Sequence, residues 1–100
     1  MSTVRVRLPP HLERLAEVRG EVQVQVSDTP TVAEVLGGLE AAHPVLEGTI
    51  RQRDTAERRA LIRLFACGRD LSHDAPGAPL PPEVASGSEP LQVVGAIAGG

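Results

Sequence analysis

The chain has 100 residues, 41% of them hydrophobic, and a formal net charge of −3. That is enough for one small domain with a core, and the mild acidity leaves no electrostatic footprint for nucleic acid or an anionic membrane surface. Every basic residue is arginine, so lysine chemistry is excluded; the single cysteine, Cys67, excludes a disulfide framework or a Cys-built metal site within one chain.

Val4, Val6 and Leu8 alternate with Arg5 and Arg7, which predicts a half-buried strand ended by Pro9-Pro10. The stretch His11–Gly20 reads as a connector with at most one helical turn. Val22, Val24 and Val26 then alternate with Gln23 and Gln25, giving a second strand that pairs with the first. Thr31 followed by Glu34 forms a capping box, in which hydroxyl and carboxylate each take an orphan amide. Behind it, Val32, Val35, Leu36 and Leu39 make one apolar helical stripe, and Pro44 stops the helix near His43. Gly37 and Gly38 lie inside this helix and read as a loss of stability, about 1 kcal/mol each relative to Ala.

Val45–Arg59 reads as a charged connector. Ile62, Leu64 and Ala66 define a third strand whose opposite face carries Arg63 and Phe65, the only aromatic residue. Gly68 begins a turn. Arg69–Pro90 is dense in Pro, Gly and Ser and reads as loop, with a short edge strand near Asp70–Leu71. Leu91–Ile97 is the last strand, placed centrally and parallel to the first. The order strand, strand, helix, strand, loop, strand predicts an α+β protein. Its architecture is a β-grasp, or ubiquitin-like, roll, with a mixed sheet of four to five strands and one main helix on one face. Residues 1–94 form the body and 95–100 a flexible tail.

The opening residues carry no apolar signal region and no apolar run is long enough for a membrane span, so the expected location is cytoplasmic. Cys67 is expected to be a small, half-buried strand-end residue rather than a nucleophile. Ser72-His73-Asp74 is expected to be loop polarity, since sequence neighbours point in different directions. His11, His43 and His73 show no ligand spacing, so no metal is expected. Phe65 has two open readings: an exposed docking patch near the root of the tail, or packing beneath the loop 72–90.

The segments "TVAEVLGGLEAAHPVLEGTI", "IRLFACGRDL" and "LQVVGAIAGG" resemble the ThiS/MoaD family of ubiquitin-like sulfur carrier proteins. The likeness covers most of the chain. Ala66-Cys67-Gly68 stands where members often carry Val-Asn-Gly, and the final loop is longer than in many. The resemblance implies a protein cosubstrate, not an enzyme by itself. An adenylating, E1-like partner uses ATP to activate the Gly100 carboxylate, a sulfur donor converts it to a thiocarboxylate, and a biosynthetic enzyme accepts the sulfur. No cofactor is bound by the carrier itself. Gly100 and Gly99 carry the chemistry; Gly95, Ala96, Ile97, Ala98 and Phe65 meet the partner. Six residues from Gly95 extend to roughly 20 Å, enough to deliver the carboxylate inside an activating site that excludes water. Rival readings are the small subunit of molybdopterin synthase, with the same tail chemistry in a lasting heteromer, a non-covalent ubiquitin-like binding module, and an enzyme using Cys67.

Overall fold

The computed structural model describes residues 1–95. Strand β1 (Ser2–Arg7) is followed by helix α1 (Pro10–Ala16), strand β2 (Glu21–Val26) and helix α2 (Val32–Ala42). A 3-10 turn (Pro44–Leu46) precedes strands β3 (Ile62–Ala66) and β4 (Arg69–Asp70). A one-turn helix α3 (Pro82–Ala85) and strand β5 (Leu91–Gly95) complete the described fold. The five strands form one mixed sheet in the order β2-β1-β5-β3-β4.

The register follows from the period-two pattern. β1 and β2 run antiparallel with Val4 opposite Val24 and Val6 opposite Val22, so their valines share one face. β5 enters between β1 and β3, parallel to β1 and antiparallel to β3, as the element order predicts. Its Leu91 and Val93 join Ile62, Leu64 and Ala66 of β3 on the same buried face. The α2 stripe of Val32, Val35, Leu36 and Leu39 is buried in the same core. All buried hydrophobic side chains are aliphatic. This is the β-grasp roll.

Several local expectations are corrected. The connector after β1 holds seven helical residues, started by Pro10 and anchored by buried Leu12, with Glu17 in the left-handed region (φ 58°) at its end. The capping box forms with its reciprocal half weak, the Thr31 amide adding least to the Glu34 carboxylate. Thr31 Oγ1 accepts the Glu34 amide at 3.1 Å, but the Glu34 carboxylate accepts the Ser27 amide and hydroxyl at 2.7 and 2.8 Å. It thereby ties the β2–α2 connector to the helix. The Ser27 amide foremost, then its hydroxyl, hold the Glu34 carboxyl below its ordinary value.

Gly38 is more than a weak helix former. A Cβ there would come within 2.6 Å of a Val24 methyl, so the missing side chain lets α2 approach β2 closely. At Gly37 a Cβ would meet only the Arg51 guanidinium at 3.6 Å, an ordinary contact.

The segment 69–90 is not free loop. Leu71, Leu80 and Val84 are buried. The Leu80 amide donates to the Pro30 carbonyl and the Ala33 amide to the Pro76 carbonyl, which ties the segment to the start of α2. Arginines likewise hold the connector 45–61. Arg51 forks onto Glu40 at 2.9 and 2.8 Å, and Arg58 donates to the carbonyls of Ser72 and Ile62.

Candidate functional site

The predicted chemistry lies just past β5, so the site is built from the strand that carries it. β5 extends through Gly95, which pairs with Ile62. Ala96, Ile97, Ala98, Gly99 and Gly100 lie outside the described residues. The core face of β5 holds its axis through Leu91 and Val93, and β1 and β3 flank it. The tail therefore leaves from a strand anchored in the middle of the sheet.

On the outer face, direct cross-strand neighbours share a side. Phe65 lies opposite Gln92 on one flank and Asp70 on the other, and Arg63 lies opposite Val94. Phe65 is half-buried and Val94 is 38% exposed. This makes a small apolar patch that runs from Val94, next to the root of the tail, to Phe65, level with Gln92, edged by Arg63, whose Nη1 is 3.4 Å from an Asp70 oxygen. Hydrogen bonds from the Ser72 hydroxyl and amide, with smaller help from Arg63, hold the Asp70 carboxyl low. Further along the face Arg5 Nη1 donates to both Glu21 carboxylate oxygens at 2.9 Å, and Arg7 Nη2 donates to one of them at 3.0 Å. The Arg5 contact foremost depresses the Glu21 carboxyl, and Arg7 adds to it. Arg5 also donates to the carbonyls of Gly87 and Ser88, clamping the end of α3 over β1.

Cys67 is exposed, which corrects the half-buried expectation. Ala66 pairs with Arg69, so Cys67-Gly68 is the hairpin turn, and both residues take positive φ (54° and 75°). This is the primed turn for which Asn-Gly is the favoured pair. Desolvation first, then the Glu83 and Glu89 carboxylates, push the thiol up, the opposite of nucleophile activation. Ser72 is buried and its Oγ accepts the Leu64 amide at 2.8 Å, so it completes the sheet edge rather than a triad. Among the described residues no cluster of three or more His, Cys, Asp or Glu is placed to hold a metal.

Sequence reasoning passed over one residue at the root. His11 of α1 lies against Gly95: a Cβ on Gly95 would come within 2.7 Å of the His11 Cε1. No local pattern signals this contact, because α1 and β5 meet only through the fold.

Several solved structures share this whole architecture. SAMP1 from Haloferax volcanii superposes with a TM-score of 0.76 at 26% identity, covering 98% of this chain and 99% of that one. The chain is a ubiquitin-like β-grasp protein, consistent with the resemblance of its sequence to the ThiS/MoaD family. Two more distant likenesses, at identities that speak to fold alone, share the ubiquitin-like roll. CysO, in the BexX/CysO complex of Amycolatopsis orientalis, matches at a TM-score of 0.74 and 18% identity over 97% of this chain and 99% of that one. SAMP1 of Methanosarcina acetivorans matches at 0.73 and 20% over 100% and 98%. No protein-family model and no curated protein matches the sequence of this ubiquitin-like chain. No helix among its described residues is long and apolar enough to cross a membrane.

Proposed function

We propose that this ubiquitin-like chain is a sulfur carrier whose reactive group is the Gly100 carboxylate. The observation that carries the reading is the junction of a centrally paired β5 with a Gly99-Gly100 end, on a fold shared with SAMP1 and CysO. A carboxylate is a poor electrophile. An ATP-dependent, E1-like partner therefore joins it to AMP with release of pyrophosphate. A sulfur nucleophile from a donor then displaces AMP, and the resulting thiocarboxylate gives its sulfur to a biosynthetic acceptor. Glycines suit this task because they lack a Cβ and fit a narrow, water-excluding site. The chain is then a protein cosubstrate that binds no cofactor, and ATP belongs to the partner. That CysO occurs in a complex with BexX supports a working cycle of docking onto partner proteins.

The test is mass spectrometry of the C-terminal peptide after incubation with ATP, a sulfur donor and host extract, paired with a thiol-directed label. Label on Gly100 is the expected result. An unmodified Gly100, in an extract that modifies a known carrier, would replace this reading with a non-covalent binding module. A lasting one-to-one complex with a larger subunit would point instead to the molybdopterin-synthase arrangement. The Phe65, Val94 and Arg63 patch is the docking face in this reading. Phe65→Ala is expected to weaken capture of the activating partner while leaving the melting temperature within a few degrees of wild type. A large fall in melting temperature would make Phe65 a packing residue.

A further inference from the structure

The contact between His11 and Gly95 reaches the root of the tail from outside the sheet. Gly95 is held on one side by its pairing with Ile62. On another side the imidazole lies so close that a Cβ on Gly95 would come within 2.7 Å of its Cε1, and the ring would have to move to admit one. His11 and Ile62 also line an open groove of about 420 Å³, together with Thr49, Arg59 and Leu61, the last 61% exposed. The ring therefore stands beside the last described residue of β5 at the edge of an open space.

We infer that His11 is a positioning residue: its ring buttresses Gly95 and sets the direction in which the chain leaves the sheet toward the partner. This rests on the carrier reading. The acting feature is the flat ring against a backbone without Cβ. A ring held against the root narrows the range of directions open to the backbone there, and the five residues beyond it can span up to roughly 17 Å. Misplacement of a reacting group by about 1 Å can cost on the order of 100-fold in rate. The body docks through other surfaces, so loss of the buttress affects delivery of the carboxylate rather than binding.

The experiment is a double-mutant cycle with His11→Ala, Gly95→Ala and the pair, plus His11→Phe, which keeps a flat ring. Thiocarboxylate formation is followed in host extract with ATP and sulfide while the carrier concentration is varied. His11→Ala is expected to lower the maximal rate about tenfold and to move the half-saturating concentration less than about twofold. His11→Phe is expected to recover most of that rate. Gly95→Ala is expected to be damaging when His11 is present and much less so in the His11→Ala background, because the double variant relieves the clash. The Gly95 Hα resonances, which sense the ring, are expected to move in His11→Ala. A wild-type rate for His11→Ala, or independent effects of the two substitutions, overturns the proposal. If wild-type Gly100 never acquires the label, the carrier reading fails and the positioning role with it. The Hα shift still tells whether ring and glycine touch, so the two failures are distinct.

Discussion

At the scale of single residues, the two adjacent glycines of α2 separate propensity from packing. Both cost the helix about 1 kcal/mol relative to Ala in isolation. Gly37→Ala meets only the end of the Arg51 side chain and is expected to raise stability by up to about 1 kcal/mol. Gly38→Ala gains the same propensity but drives a methyl into Val24, and is expected to lower stability overall. Urea midpoints of the two variants, at unchanged slope, give the comparison; equal stabilisation would mean that α2 does not press on β2 at Gly38. Cys67 offers a second contrast. It occupies the first position of a primed turn with φ 54°, a conformation that costs most L-residues roughly 1–2 kcal/mol and Asn less. Cys67→Asn is expected to stabilise the hairpin by about 1 kcal/mol. In the proposed carrier it is also expected to leave thiocarboxylate formation intact, whereas an enzyme working through this thiol would be silenced. The sequence could not separate these cases, since Gly37 and Gly38 look alike until the sheet lies beneath them.

At the scale of elements, legibility followed burial. β1, β2 and β3 were readable because one face of each is buried, and a period of two leaves no second register that buries the same residues. α2 was readable from its stripe and its Thr31 cap. α1 and α3 were not, because each is short, opens on proline and buries a single main anchor, Leu12 or Val84. The arginines of the connector 45–61 looked like solvated charge, yet Arg51 and Arg58 bridge elements distant in sequence. Of the candidate site, the outer-face set Arg63 and Phe65 followed from strand alternation, while the His11–Gly95 contact depends on how α1 crosses the end of β5. The Ser27–Glu34 tie makes an element-scale prediction. Folding depresses this carboxyl below its ordinary value near 4.5, so its stabilising share is complete above that value. The share is lost as pH falls through the lower folded value. Glu34→Gln is therefore expected to melt below wild type at neutral pH. The gap is expected to narrow as pH drops toward about 3, since Glu21, Asp28 and Asp70 weaken alike in both proteins. A gap that stays constant with pH would assign the effect to helix capping by shape rather than to the ionised carboxylate.

At the scale of the whole molecule, the topology and the amine inventory would act together on the tail that the proposed carrier cycle activates. An acyl-adenylate reacts with any good amine that reaches it, and a carrier that acylated itself would be lost to sulfur transfer. The chain contains no lysine, so no side-chain amine is available. The amine at Met1 is ion-paired with Asp28 at 3.0 Å, beside the start of β1. β1 and β5 are parallel with Val6 level with Leu91, so Ser2 and Gly95 lie on opposite sides of that level, each four residues away. At about 3.3 Å per residue the separation is roughly 26 Å along the sheet, against roughly 17 Å of reach for the five residues after Gly95. The carboxylate thus leaves from the end of the sheet remote from that amine. Activation in the absence of a sulfur donor is expected to yield hydrolysed carrier or adducts on partner proteins, but no cyclised chain. Mass spectrometry checks this directly: a species lighter by one water, with a peptide joining Gly100 to Met1, would show that the fold opens enough for its two ends to meet. Its absence alongside Gly100 adducts on other amines would show that the fold itself protects the activated end from its own chain.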